Sequence, residues 1–131
     1  MPITLSWFNT EKTILYEHFH GTITLQDYYV MVDEAAALLE ECPYPVHILA
    51  DMGGLNQKTL PTNLLLAAKY ADKRLPPNQG IVVYVRPGSF INSIIQISRR
   101  AGLQATRHLY TAQSLDEAVQ LIAEKAPDLF G

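Results

Sequence analysis

The stretch VHILADMGGLNQKTLPTNLLLAAKY, residues 46–70, decides the fold. Its first five residues, Val46–Ala50, are a short apolar run behind Pro45, which is typical of a buried strand in a parallel sheet. Asp51 and two glycines follow, then a polar loop, and Pro61 suits the first turn of a helix. The stretch therefore predicts a strand, a loop and a helix in that order.

The same alternation continues toward the C-terminus. GIVVYV, residues 80–85, predicts a second buried strand, and Ser89–Ala101 has the spacing of a helix. Thr106–Tyr110 is a short strand candidate, and Ser114 opens a capping box that starts a last helix. Strands that alternate with helices in this way indicate parallel pairing through right-handed crossovers.

The N-terminal part has a different pattern. Ile3–Phe8 and Thr13–His20 alternate apolar and polar residues around a short polar turn, which predicts an antiparallel hairpin. Thr24 and Asp27 resemble a capping box, and Leu25–Glu41 follows at helical spacing. The predicted order is ββαβαβαβα, an α/β fold in which the hairpin joins a mixed sheet.

Composition limits the kind of protein further. The 131 residues suit one globular domain, residues 1–131, and the net charge of -3 with ten scattered Lys and Arg predicts no nucleic-acid partner. One cysteine, Cys42, excludes an internal disulfide and a cysteine-based metal cluster. The start, MPITLSWFN, does not resemble a signal peptide, and no apolar run approaches the ~20 residues of a membrane span. We therefore expect a cytoplasmic protein without a membrane span.

The segment between the predicted strand and helix is the first candidate site, because ligands of open parallel sheets bind beyond the carboxyl ends of the strands. Asp51, Gly53 and Gly54 would begin it, and a helix N-terminus there suits an anion. The alternative is a tight turn with positive φ at the glycines. Thr59 and Thr62 flank the helix start, where each could accept a phosphate or cap the helix.

No catalytic or metal-binding pattern is visible. His18 and His20 lie on one strand face, but no third ligand stands at a recognisable spacing. Cys42 has no neighbouring cation, and the serines lack a nucleophile elbow. We expect no enzyme activity, no cofactor and no metal.

The third predicted helix has an apolar surface wider than one sheet-facing stripe requires. Either the helix is deeply buried, or its spare face associates with a partner or a second copy, as in a homodimer. The candidate self-association residues are Phe90, Ile91, Ile94 and Ile95.

Six strings of the sequence resemble STAS-type domains, the fold of anti-sigma-factor antagonists, and more closely a group of stand-alone bacterial STAS-like proteins. They are ITLSW, KTILYEHFHGTITLQDYY, PVHILADM, PTNLL, PPNQGIVVYV and SLDEA, and they extend over nearly the whole chain. The resemblance implies a cytoplasmic, non-enzymatic module that binds protein partners or small ligands. In the antagonists, a phosphorylated Ser or Thr preceded by Asp begins the helix after the central strand. This chain lacks the D-S-S-G-L string there, and Thr59 and Thr62 are the nearby hydroxyls.

The leading functional hypothesis is therefore a regulatory or binding module that contacts a protein, or itself, through residues 51–62. The first alternative is a carrier of a small apolar molecule or lipid, held beside the sheet with the isoleucines of the third helix as part of the pocket. The second is a small enzyme with a dispersed site built from Asp51, His18 or His20 and the loop hydroxyls.

Overall fold

The structure, a computed structural model, describes residues 2–56 and 64–129. Within these ranges five strands and four α-helices follow one another along the chain. The strands are β1 (Ile3–Trp7), β2 (Ile14–Gly21), β3 (Val46–Leu55), β4 (Gln79–Val85) and β5 (Leu109–Ala112). The helices are α1 (Leu25–Glu40), α2 (Leu64–Lys73), α3 (Gly88–Arg100) and α4 (Leu115–Leu129). None of these helices has both the length and the apolar composition that crossing a bilayer requires.

The strands form one mixed sheet in the order β1-β2-β3-β4-β5. β1 pairs antiparallel with β2, and each later pair is parallel. An antiparallel pair can be joined by a short turn, whereas parallel neighbours need a long crossover, usually a helix. Here α1, α2 and α3 are those crossovers. The predicted α/β class, with a hairpin at the start of a mixed sheet, is confirmed.

The two faces of the sheet are covered differently. Residues of α1, α2 and α3 pack with Leu15, Phe19 and Ile48 in one core cluster. Residues of α4 pack with Leu49 and Val83 in a second cluster on the other face. Alternate residues of a strand point to opposite faces of the sheet. Because β3 and β4 are buried on both faces, their sequences are nearly continuous apolar runs. α4 lies over β4 and β5. No described helix therefore covers the other half of this sheet face, the half over β1 and β2.

The predicted start of the loop after the central strand is wrong. β3 continues to Leu55, so that Asp51, Gly53 and Gly54 lie in the strand. Pairing explains the extra length: Asp51 is opposite both His18 and Val85, and Gly54 is opposite His20. Gly53 and Gly54 have no positive φ, so the predicted tight turn is also wrong.

A second boundary differs near the C-terminus. The last strand begins at Leu109 rather than at residue 106, because Gln104–Thr106 form a short 3-10 turn. The predicted capping box of α1 is present: the Asp27 N–H donates to Thr24 Oγ1 at 3.0 Å, and the Thr24 N–H donates to Asp27 Oδ2 at 2.9 Å. The capping box of α1 was therefore more predictable from the sequence than the first residue of β5.

The Asn78 side chain joins the end of α1 to the start of β4. Its Nδ2 donates to the carbonyl oxygens of Leu39, Cys42 and Tyr44 at 2.8, 3.2 and 2.9 Å. The carbonyls at a helix C-terminus lack partners inside the helix, and an unsatisfied buried carbonyl is costly. One amide group thus fixes the segment between α1 and β3.

We expect Asn78→Ala to lower the free energy of unfolding by about 1–3 kcal/mol, because it removes the side-chain donor that these three carbonyls share. Asn78→Asp should cost at least as much, since a carboxylate of nearly the same shape cannot donate. Urea unfolding measures both, with Asn92→Ala on the exposed side of α3 as a control that should change stability by less than about 0.5 kcal/mol. Equal stability of Asn78→Asp and the wild type would contradict this role.

Candidate functional site

Polar and ring side chains occupy the half-face of the sheet that α4 leaves uncovered, here called the open face. The open-face cluster is defined as Tyr16, His18 and His20 of β2, Asp51 of β3, and Arg86 directly after β4. These strands are parallel neighbours, so the end of β3, the end of β4 and the second half of β2 meet at the same edge. Ligand and partner sites of open α/β sheets are found at such carboxyl edges.

Asp51 is the centre of the cluster. The Tyr16 hydroxyl donates to its Oδ2 at 2.7 Å, and the Gly53 N–H donates to its Oδ1 at 3.1 Å. Arg86 Nη2 lies 3.2 Å from both carboxylate oxygens. The Asp51 side chain is only 6% exposed, whereas that of Arg86 is 50% exposed. A buried carboxylate is thus held by three donors, one of which reaches solvent.

These contacts determine the protonation states of the cluster. Burial alone would raise the pKa of Asp51, but the hydrogen bonds from Tyr16, Gly53 and Arg86, and the Arg86 charge, hold it below its ordinary value. Burial and the bond to Asp51 raise the pKa of Tyr16 to about 12. At neutral pH Asp51 is therefore ionised and Tyr16 is a hydrogen-bond donor. Because the carboxyl pKa is depressed on folding, this stabilisation is present above the ordinary Asp range and is lost as pH falls through the folded-state pKa.

Arg86 is held in an unusual backbone conformation. Its φ is 53°, in the left-handed region that a non-glycine residue rarely adopts. The Arg86 N–H donates to the Ala112 carbonyl at 2.8 Å, which fixes the residue to the end of β5. Its guanidinium lies over Gly53, where an added Cβ would be 2.7 Å from Nε. Gly53 is therefore needed for close approach of the guanidinium rather than for a turn.

Four rings form a row along the same half-face. Phe8 and Tyr16 have centroids 6.1 Å apart, and Tyr16 and His18 are stacked at 6.0 Å with an interplanar angle of 11°. His18 and His20 are 5.2 Å apart. Phe8, just after β1, is 40% exposed. The row is a nearly continuous ring surface, exposed at Phe8 and partly buried at Tyr16, His18 and His20, with the Arg86 guanidinium on the same half-face.

The hydrogen bonds within the cluster occupy the Asp51 carboxylate. Asp51 is bonded to Tyr16, Gly53 and Arg86 and makes no hydrogen bond to His18 or His20, so no Asp–His pair is present in the described part of the chain. Across the described residues, no group of three or more His, Cys, Asp or Glu side chains could hold a metal ion. Half-exposed Arg and ring side chains can bind a partner by stacking and hydrogen bonding.

A second candidate site lies between the sheet and α1–α3, where two cavities open partly to solvent. Two adjoining cavities of about 90 Å³ each share six lining residues, among them Phe19, Tyr28 and Tyr84. The first, here called the apolar cavity, is bordered by Ile91 and Ile95 of α3. The second, the Glu17 cavity, has the Glu17 carboxyl in its wall. Mainly apolar concave sites with a few polar groups are where small molecules bind proteins.

Glu17 is buried without a counter-charge. It is 6% exposed, and its carboxyl makes no ion pair or hydrogen bond with any residue the structure describes. Burial raises its pKa to about 8, because the charged form would lose its hydration. Glu17 lies between Leu15 and Phe19 on the strand face that points into the core. Its neutral form therefore predominates at pH 7.

The structure brings together only part of the predicted site. Asp51 and Gly53 belong to one hydrogen-bonded group, and Gly54 lies against His20, where an added Cβ would be 3.2 Å from the His20 Cβ. Thr59 and Thr62 lie outside the described residues, as do the side chains of Phe90 and Ile94. Ile91 and Ile95 are 7% and 5% exposed. Those two are therefore unavailable for self-association, because the inner side of α3 faces the sheet.

Sequence reasoning missed the residues that complete both sites. Tyr16 shares the strand face of His18 and His20, so the ring row could have been found from its period of two. Glu17 interrupts the apolar face of β2, which is a recognisable signal of a functional acid. Arg86 could not have been found in this way, because its contact depends on the register of β4 against β3.

We expect Arg86→Met to raise the pKa of Asp51 by about one pH unit, because it removes both a charge and a hydrogen bond. Gly53→Ala should also raise it, since the new Cβ displaces the guanidinium. The double variant should equal Arg86→Met, because both changes break the same contact. Carboxyl NMR titration measures the pKa, with Arg100→Met at the exposed end of α3 as the control. An unchanged Asp51 pKa in Arg86→Met would refute the coupling.

We expect Glu17→Leu to be more stable than the wild type, by a margin that grows as pH rises from about 4.5 to 8. The folded state keeps its proton to about pH 8, whereas the unfolded state loses it near 4.5, so rising pH favours unfolding of the wild type in this window. The margin should reach a few kcal/mol, since one pKa unit is worth about 1.4 kcal/mol. Urea unfolding at several pH values measures it, and Glu34→Leu on the exposed side of α1 should show no such trend. A margin that does not change with pH would show that Glu17 ionises normally.

The comparisons with known proteins do not identify the chain. No protein-family model matches it, and no curated protein matches it. The two candidate sites are therefore interpreted from their own residues and geometry.

Proposed function

We propose that this chain is a non-catalytic, cytoplasmic domain of the bacterial STAS-like type, and that it binds a protein partner through the open face. The fold assignment is supported by an N-terminal hairpin that joins a mixed sheet, and by helices that alternate with parallel strands. The sequence resemblance points the same way, since its strings extend from the hairpin to the start of α4.

The observation that carries the proposed function is the ring row beside Arg86. Aromatic and arginine side chains are enriched at the centres of protein interfaces, and a few of them supply most of the binding energy. Phe8 is 40% exposed although it is apolar, and the Arg86 side chain is half-exposed although one of its nitrogens is bound to Asp51. Asp51 fixes the position of this guanidinium before a partner arrives, which lowers the entropy cost of binding.

The proposed surface changes the contact segment predicted from the sequence. Asp51, Gly53 and Gly54 remain part of it, but they support the surface from within a strand. The contact groups are Phe8 after β1, the partly buried rings of β2, and Arg86 after β4. Thr59 and Thr62 stay candidates for capping or phosphorylation, and a partner switch through them stays a prediction.

Absence of catalysis is part of the proposal and is supported by the state of Asp51. The dispersed-enzyme hypothesis needs Asp51 to act with His18 or His20. Its carboxylate is instead occupied by Tyr16, Gly53 and Arg86. A carboxylate whose pKa is held below its ordinary value is also a weak base.

The adjoining cavities favour a second candidate function, the carriage of a small apolar molecule. Ile91 and Ile95 border the apolar cavity, as a carrier hypothesis based on the isoleucines of α3 requires. Two functions on opposite faces of one sheet do not exclude each other, because the open face and the cavities use different residues of β2.

We expect Phe8→Ala with His18→Ala to reduce recovery of the partner about tenfold or more, because loss of two ring contacts costs at least about 1.4 kcal/mol of binding energy. The measurement is quantitative affinity purification from the native host, with wild type and variant compared. Sedimentation of the purified protein shows whether the partner is a second copy of the chain.

The matched control is Ile97→Ala, since Ile97 is 43% exposed but lies on α3, across the sheet from the open face. This variant should keep full recovery. A partner that is lost with Ile97→Ala and kept with the double variant would place the interface on the helical side and reject the proposal.

A further inference from the structure

Two partly open cavities adjoin each other between the sheet and α1–α3. Each has a volume of about 90 Å³, and the six residues they share make them neighbours. An apolar cavity of about 150 Å³ in another protein admits benzene. Their common walls are formed by rings and small apolar side chains, among them Phe19, Ala71 and Leu109. These walls favour the body of an apolar ligand.

The Glu17 carboxyl is the acidic group in the wall of the second cavity, which the Gln79 side chain of β4 also lines. The titratable or charged residues that line this cavity with it are Tyr28 of α1, Tyr84 of β4, and Arg74 just after α2. Arg74 is engaged outside, with Nη1 2.6 Å from Glu40 and Nε 3.8 Å from Asp33. Burial raises the pKa of both tyrosines, so their phenols stay neutral. No described neighbour therefore compensates a charge on Glu17.

A neutral carboxyl has one O–H donor, and the best match for it is an acceptor that adds no charge. A carbonyl oxygen is such an acceptor. An ammonium group would require Glu17 to ionise. Two charges would then lose hydration in the Glu17 cavity, which commonly costs more than their attraction returns. The geometry thus separates two ligand chemistries that a carboxyl can in general bind.

We propose that the adjoining cavities bind a small, uncharged, mainly apolar molecule with one carbonyl group, and that the Glu17 carboxyl donates a hydrogen bond to that carbonyl. The inference rests on the carrier function, the second candidate above, and adds the chemistry of the ligand and the residue that recognises it.

The test uses cyclopentanone as the probe, with methylcyclopentane and cyclopentylamine as analogues that replace the carbonyl. Amide chemical shifts of the full chain report binding at pH 6 and pH 9. Cyclopentanone should bind more tightly than either analogue at pH 6. Its affinity should fall about tenfold at pH 9, since a carboxyl with a pKa of about 8 is then about one-tenth protonated.

Two variants assign the effect to Glu17. Glu17→Gln keeps an N–H donor of nearly the same shape, so cyclopentanone should bind it equally at pH 6 and pH 9. Glu17→Leu removes the donor and should bind cyclopentanone no better than methylcyclopentane. Glu34→Gln, on the exposed side of α1, should behave as the wild type does.

Each contrary result has a distinct meaning. Equal affinity for cyclopentanone and methylcyclopentane at both pH values would overturn the role of Glu17 and leave the carrier function standing. Preferential binding of cyclopentylamine would overturn the carbonyl in favour of a cationic ligand. No binding of any of the three probes to the wild type would overturn the inference and the carrier function together.

Discussion

The handedness of the β-α-β crossover constrains every helix between parallel strands of this sheet. Because β2, β3, β4 and β5 are added in one direction, right-handed crossovers place α1, α2 and α3 on the same face. Among the described elements, α4 lies on the other face and covers the part over β4 and β5. The cavities on the three-helix side and the uncovered half-face opposite both follow from this order.

Two carboxyl groups on neighbouring strands of this sheet have opposite protonation states because their surroundings differ. A buried carboxylate costs several kcal/mol in lost hydration. Asp51 recovers this cost through donors from Tyr16, Gly53 and Arg86, because hydrogen bonds to charged groups contribute about 1.5–3 kcal/mol each. Glu17 has no such donors among its described neighbours, so it retains its proton instead. One acid is a fixed anion that positions an arginine, and the other is a neutral group at a cavity wall.

The fold was predictable from local patterns to a greater extent than the site. The apolar run Val46–Ala50 predicts a strand buried on both faces, and the alternation of Thr13–His20 predicts a strand buried on one face. The contact of Arg86 with Asp51 has no comparable sequence pattern. It joins residues 35 positions apart, and it depends on strand register and on a positive φ at a non-glycine residue. The two glycines were recognised as important but assigned to a turn, because close packing against a distant side chain cannot be read from their neighbours.

Strand β2 carries parts of both sites on alternate residues. Tyr16 and His18 point to the open face, whereas Glu17 and Phe19 point to the cavities. A shift of one residue in this strand would exchange the two sets, placing a phenol and an imidazole in the apolar interior and a carboxyl on the surface. The register of β2 against β3 is therefore under a parity constraint. Over evolutionary time, an insertion or deletion of one residue inside β2 would damage both faces at once, while a change of two residues would leave the alternation intact.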